Sequence, residues 1–171
     1  MIEHRPLLMR ANRLLGSALV EHNLVKFEEL EVANERVLEL AAQGNFRQAS
    51  VLGLLVNETK VLKEEHVLHL VMDEHALGVV DLRHYDVADD VRRDLDPGMC
   101  WATWTVPYEK EEDFWFVATA YYLSPAVRTH WEKKLGGTVI WHATTMEVIA
   151  DFLDRLQAER EAAAKAKPAT A

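Results

Sequence analysis

Residues 14–30 and 51–67 form an internal repeat without gaps, at an offset of 37. Five of the 17 superposed positions are identical, where chance would give about one. They are Leu15 with Leu52, Gly16 with Gly53, Glu21 with Glu58, Lys26 with Lys63 and Glu28 with Glu65. The apolar pattern coincides as well: Leu19 falls on Val56, Leu24 on Val61, Val25 on Leu62 and Leu30 on Val67. Each copy reads as a short helix opening at Leu-Gly, a turn before an aliphatic pair, and a longer helix. A glycine near a helix start lets another backbone or a ligand come close. The first half of the chain is therefore expected to be two head-to-tail helical hairpins.

The rest of the pattern predicts a mixed second half. In the first copy the longer helix is expected over about 27–43, with Leu30, Ala33, Val37, Leu40 and Ala41 on one face and Gly44 as its C′ residue. Helices over about 46–58 and 63–76 follow, the second ended by Gly78, and residues 79–82 read as a short buried strand. One or two helical turns are expected over 87–95, stopped by Asp96-Pro97-Gly98. Residues 101–106 and 114–119 are rich in β-formers around a polar turn, which predicts an antiparallel pair. Ser124-Pro125 has the order of an N-cap and first helical residue, and that helix would stop at Gly136-Gly137. A strand over 138–142 and a helix opened by the capping box Thr144-x-x-Glu147 complete the order. The fold class is α+β: a duplicated helical hairpin subdomain over 1–82, a small α/β subdomain with an antiparallel β-hairpin over 83–157, and a frayed helix and disordered tail over 158–171.

Charge and composition exclude several functions. There are 19 basic residues against 28 acidic ones, a net charge of −9, which argues against nucleic acid and against an anionic membrane surface as partners. Cys100 is the single cysteine, so no intrachain disulfide is expected. No signal peptide and no bilayer-spanning apolar run is recognised, and a soluble, cytoplasmic protein is expected.

At the repeat the sequence resembles the N-terminal, MshEN-type domain of the assembly ATPases of type II secretion and type IV pili. That family carries two copies of a motif reading roughly Arg-Leu-Gly, a second Gly seven positions on, an aliphatic pair, then Leu-x-x-Ala-Leu-x-x-Gln. Leu15, Gly16, Leu24, Val25, Leu30 and Ala33 match the first copy. Leu52, Gly53, Val61 and Leu62 match the second, and Gly78-Val79-Val80-Asp81-Leu82 matches the stretch that follows. The resemblance implies a bacterial regulatory or adaptor module that binds a protein partner, such as a component of a secretion or pilus apparatus, with no catalysis, no cofactor and no metal of its own. No phosphate loop occurs in the sequence, so the ATPase part is expected to be missing.

Some members of that family bind cyclic di-GMP through the motif's Arg, glycines, aliphatic residues and closing Gln. Here Leu14 and Val51 stand at the Arg positions, Asn23 and Lys60 at the second Gly, and Val37 and Glu74 at the closing Gln. Losing Arg removes a planar donor suited to phosphate, and Glu74 would repel a dianion. Cyclic di-GMP is thus not the expected ligand. The alternative is a second-messenger sensor with a degenerate motif, which would use Arg13, Leu15, Gly16, Leu52 and Gly53. For a protein partner the candidate residues are Trp104 and Trp115, in the predicted hairpin. His66, His69 and Asp73 share a helix face but read as solvated, and Cys100 reads as packed.

Overall fold

The computed structural model describes residues 2–167, so the end of the expected tail, residues 168–171, lies outside the described residues. A 3-10 turn (Ile2–His4) leads into α1 (Arg5–Glu21). The sequence places the start of this helix near Leu14. The structure carries it back to Arg5, because Leu8 and Ala11 continue the buried stripe of Leu15 and Leu19. Pro6 sits in the first turn, where its missing N–H costs nothing. Leu15-Gly16 therefore lies inside a helix and does not open one.

Helix α2 (Phe27–Ala42) buries Leu30, Ala33, Val37, Leu40 and Ala41, as its periodicity requires. Gly44 follows it with φ 79°. The helix expected from 46 begins only at Ser50, whose hydroxyl accepts from the Gly53 N–H. This α3 (Val51–Gly53) passes directly into a π turn (Leu54–Glu58). Helix α4 (Glu64–His75) ends at Ala76, which takes a left-handed φ of 55°, two residues before the Gly78 expected to end it.

The repeat is visible in the fold. Helices α2 and α4 start 37 residues apart, at Phe27 and Glu64. Leu15 and Leu52 are both fully buried, and Val25 pairs with Leu62 and Leu30 with Val67 as buried residues. The copies part at the turn: the first closes with Leu24 N–H donating to the Leu19 carbonyl (2.9 Å), whereas in the second the Leu55 carbonyl receives both Val61 (3.0 Å) and Leu62 (3.2 Å).

β1 (Gly78–Val79) is shorter than expected, and Val79 is exposed. Leu82 is buried instead in a 3-10 turn. Two short helices follow, α5 (Asp89–Arg93) and α6 (Pro97–Thr103). Asp96-Pro97 starts α6 where a stop was expected, since the Asp96 carboxylate accepts from the Gly98 (3.0 Å) and Met99 (3.4 Å) N–H groups. Trp101 is consequently helical. The expected hairpin is present as β2 (Thr105–Glu111) and β3 (Phe114–Thr119), antiparallel with a bulge between Pro107 and Glu109. Helix α7 (Pro125–Leu135) crosses over to β4 (Thr138–Ala143), which runs parallel to β3 and to β1. The sheet order is β1-β4-β3-β2.

Helix α8 (Met146–Ala166) is capped by Thr145, one residue later than the Thr144 pattern implies. It stays helical through the Ala, Glu, Lys and Arg stretch read as frayed. Arg160 ties it down by donating to the carbonyls of Arg92 (3.0 Å), Arg93 (3.2 Å) and Leu95 (2.9 Å). One apolar core runs from Leu8 and Leu15 in α1 through Tyr121 and Val127 to Ile149 and Leu153 in α8.

Candidate functional site: the seam between α1 and α2

Helix α1 is held in place by a buried polar network. The Asn12 amide donates to the carbonyls of Leu8 (2.9 Å) and Ala49 (3.0 Å), and its oxygen accepts from the Val51 N–H (2.8 Å) and the Tyr121 hydroxyl (2.8 Å). With the Tyr121 proton committed to Asn12, the Ser50 hydroxyl donates to Tyr121 at 2.5 Å. Burial pushes the Tyr121 phenol up, which keeps it protonated and available as a donor. Seating α1 this way turns Met9, Arg13 and Val20 toward α2.

Two cavities lie along the seam so formed. One, of about 320 Å³, is lined by Met9, Arg10 and Arg13 of α1 and by Asn34, Val37 and Leu38 of α2. The other, of about 600 Å³, sits at the opposite end among Val20, Leu24, Phe27 and Val61. Phe27 is 59% exposed and Leu38 55%, off the buried face of α2. Arg10 and Arg13 make no ion pair with any described residue. The field of Arg10 reaches α7: the His130 imidazole is held below its ordinary range by burial first, then by Lys134, His4 and Arg10.

No known family profile matches the sequence, and no curated protein does. Solved structures do match. A structure of MshE with cyclic di-GMP superimposes with a TM-score of 0.52 over 83% of this chain and 97% of that one, at 22% identity. The N-terminal domain of XpsE superimposes in two crystal forms, with TM-scores of 0.52 and 0.53, at 16% and 18% identity. Those matches cover 81% and 85% of this chain and 91% and 94% of the XpsE domain. The fold is that of the MshE and XpsE N-terminal domains.

On this MshE-type fold the residues singled out from the sequence are distributed unequally. Leu15 and Leu52 are fully buried. Gly16 faces Leu30, whose Cδ1 would stand 2.6 Å from an added Cβ, and Gly53 faces Met146 Cε at 3.2 Å. The space beside each glycine is thus filled by the chain's own side chains. Arg13 alone of these five is exposed. It lines the same cavity as Val37, which stands at the motif's closing Gln position. Trp104 is a core residue, 6% exposed and edge-on to Trp101 at 5.2 Å. Trp115 is half-buried beneath the Lys110 ammonium, 5.0 Å from the ring centroid.

His66, His69 and Asp73 are all exposed on α4. The metal-compatible group among the described residues is elsewhere: Glu3, His4 and Asp96. Its His4–Asp96 contact (2.9 Å) joins the start of α1 to the cap of α6, which accounts for it structurally. Cys100 is fully buried, and desolvation drives its thiol far up, so it is not a nucleophile. Sequence reasoning did not reach Met9, Asn34 and Leu38. The available signal was Phe27 and Leu38, apolar residues out of phase with the buried stripe of α2.

Proposed function

We propose that this chain is a non-catalytic regulatory or adaptor module that binds a protein partner through the α1–α2 seam, in the setting of a secretion or pilus assembly apparatus. The observation that carries this reading is the open seam itself, where two large apolar side chains and two arginines without ion pairs adjoin two cavities. The fold supports it, being that of the MshE and XpsE N-terminal domains. No helix among the described residues is long and apolar enough to cross a membrane, consistent with a module that works in the cytoplasm.

Cyclic di-GMP is the competing occupant, since MshE is seen with it and Arg13 lines the seam. Against it stand the filled glycine faces and the apolar Val37 at the closing Gln position. The test is a photo-crosslinking residue placed at Leu38, with Val32 as the control, because Val32 is 58% exposed on another face of α2. A single saturable protein adduct is expected from Leu38 and none from Val32, and titration with cyclic di-GMP is expected to show no heat of binding. Adducts from neither position would overturn the adaptor reading. Saturable nucleotide binding that Arg13→Ala abolishes would replace it with the sensor.

A further inference from the structure

The geometry points to a specific occupant for the seam: an amphipathic helix of the partner, with an acidic flank toward α1 and a basic flank toward α2. This rests on the adaptor reading and specifies its chemistry.

The spacing argues for a helix. Helices α1 and α2 are joined by a short turn and run antiparallel, so Met9 stands opposite Leu38 at one end and Val20 opposite Phe27 at the other. Both pairs of ends are eleven residues apart, three helical turns, or about 16 Å. A helix laid in the trough presents apolar residues at i, i+4, i+7 and i+11 over that same length. An extended peptide would cross it in about five residues, with alternate side chains facing away.

The rims argue for charge and for its direction. On the outer rim of α1 stand Arg10 and Arg13; the helical phase puts Glu31 and Glu35 on the outer rim of α2. None of the four makes an ion pair with a described residue. By contrast Arg36 and Glu39, elsewhere on α2, pair with each other at 3.0 Å. A basic rim faces an acidic rim across an apolar floor, so a ligand helix with segregated flanks fits in one sense and is repelled in the other.

The test uses the full chain and two labelled synthetic helices of about 15 residues, each with leucines at i, i+4, i+7 and i+11. One carries glutamates along one flank and lysines along the other, so that it matches the rims in one direction of insertion; the other has the same composition with glutamates and lysines mixed on both flanks, so that it matches in neither direction. The matched helix is expected to bind at least about tenfold more tightly by fluorescence anisotropy. The double variant Arg10→Glu with Arg13→Glu should reduce its binding about tenfold or more. Leu38→Asp should abolish binding of both helices while leaving the thermal unfolding of the chain unchanged. Equal affinity for the two helices, or binding that survives Leu38→Asp, overturns the inference. So does displacement of the matched helix by cyclic di-GMP, or a chain that dimerises through Leu38. If the helices fail while a crosslink from Leu38 to a protein persists, the adaptor reading stands and only this occupant falls; if both fail, the adaptor reading falls too.

Discussion

Asn23 and Lys60 lie 37 residues apart and share one backbone conformation, a left-handed φ of 56° at each. They occupy the position where the resembling motif has its second glycine. The geometry of the repeat has thus been kept where the residue that suits it has not. Left-handed backbone costs a residue with a Cβ about 1–2 kcal/mol, less for Asn, whose short polar side chain tolerates it.

Lys60→Gly should accordingly stabilise the chain by up to about 1 kcal/mol, the relieved strain being partly offset by the entropy glycine loses on folding. Asn23→Gly should change stability by only a few tenths. Lys60→Val should destabilise more than either, because a β-branched residue resists positive φ. Urea unfolding midpoints at constant m-value check the ranking.

The glycines of the two Leu-Gly pairs should respond differently to alanine. At Gly16 an added Cβ would meet Leu30 Cδ1 at 2.6 Å, and Leu30 is buried in the core. Overpacking there should cost about 1–3 kcal/mol, of which the better helix propensity of alanine returns up to about 1. At Gly53 the neighbour is the flexible end of Met146, at 3.2 Å, and Gly53→Ala should be close to neutral. Pairing Gly16→Ala with Leu30→Val should recover part of the loss, and a double-mutant cycle by chemical denaturation measures that coupling.

The polar network offers a test of how the two halves of the chain are joined. Tyr121→Phe removes the hydroxyl that donates to Asn12 and accepts from Ser50, leaving a buried donor without its acceptor. A loss of about 1–2 kcal/mol is expected. Asn12→Ala strands the Val51 N–H, the Ala49 carbonyl and the Tyr121 hydroxyl together, and should cost roughly twice as much. Thermal unfolding of the three proteins gives the order; an Asn12→Ala chain as stable as the parent would remove the network from the account of the fold.

Much of this architecture was legible in the sequence, and the parts that were not share a cause. The repeat, the hairpin of β2 and β3, and the Ser124-Pro125 helix start depend on local spacing and local chemistry. Asp96-Pro97 depends on context: the same pair serves as a turn or as a cap and first helical residue. Free Gly98 and Met99 N–H groups, with His4 on the remaining carboxylate oxygen, decide for the cap. Leu15-Gly16 reads as a helix start because glycine is a poor residue for a helix interior, yet Leu8 and Ala11 continue the buried stripe of α1 ahead of it. Trp104 read as a hairpin residue and a candidate for partner binding because the left-handed backbone with which it closes α6 (φ 48°) leaves no mark in a run of β-formers. The seam was only hinted at by Phe27 and Leu38, since the cavity that Leu38 shares with Met9 of α1 is not encoded in the period of one helix.

A last prediction concerns Glu64 at the start of α4, whose carboxylate accepts from the Met146 N–H at 3.0 Å. Burial raises its pKa above the ordinary 4.5; the Met146 hydrogen bond opposes the shift and Glu147 adds to it. A carboxyl whose folded pKa is raised binds more protons folded than unfolded between the two values. Stability from this group is therefore highest below the ordinary value and is lost as pH rises through the raised one. Glu64→Gln keeps an oxygen to accept from Met146 and removes the charge. Relative to the parent, the variant should be no more stable at pH 4 and progressively more stable toward pH 7, with the difference growing from about pH 4.5 upward. Urea unfolding across that range reads the difference directly. A difference that is constant with pH would show that folding leaves the pKa of this carboxyl unmoved, the Met146 hydrogen bond cancelling the cost of burial.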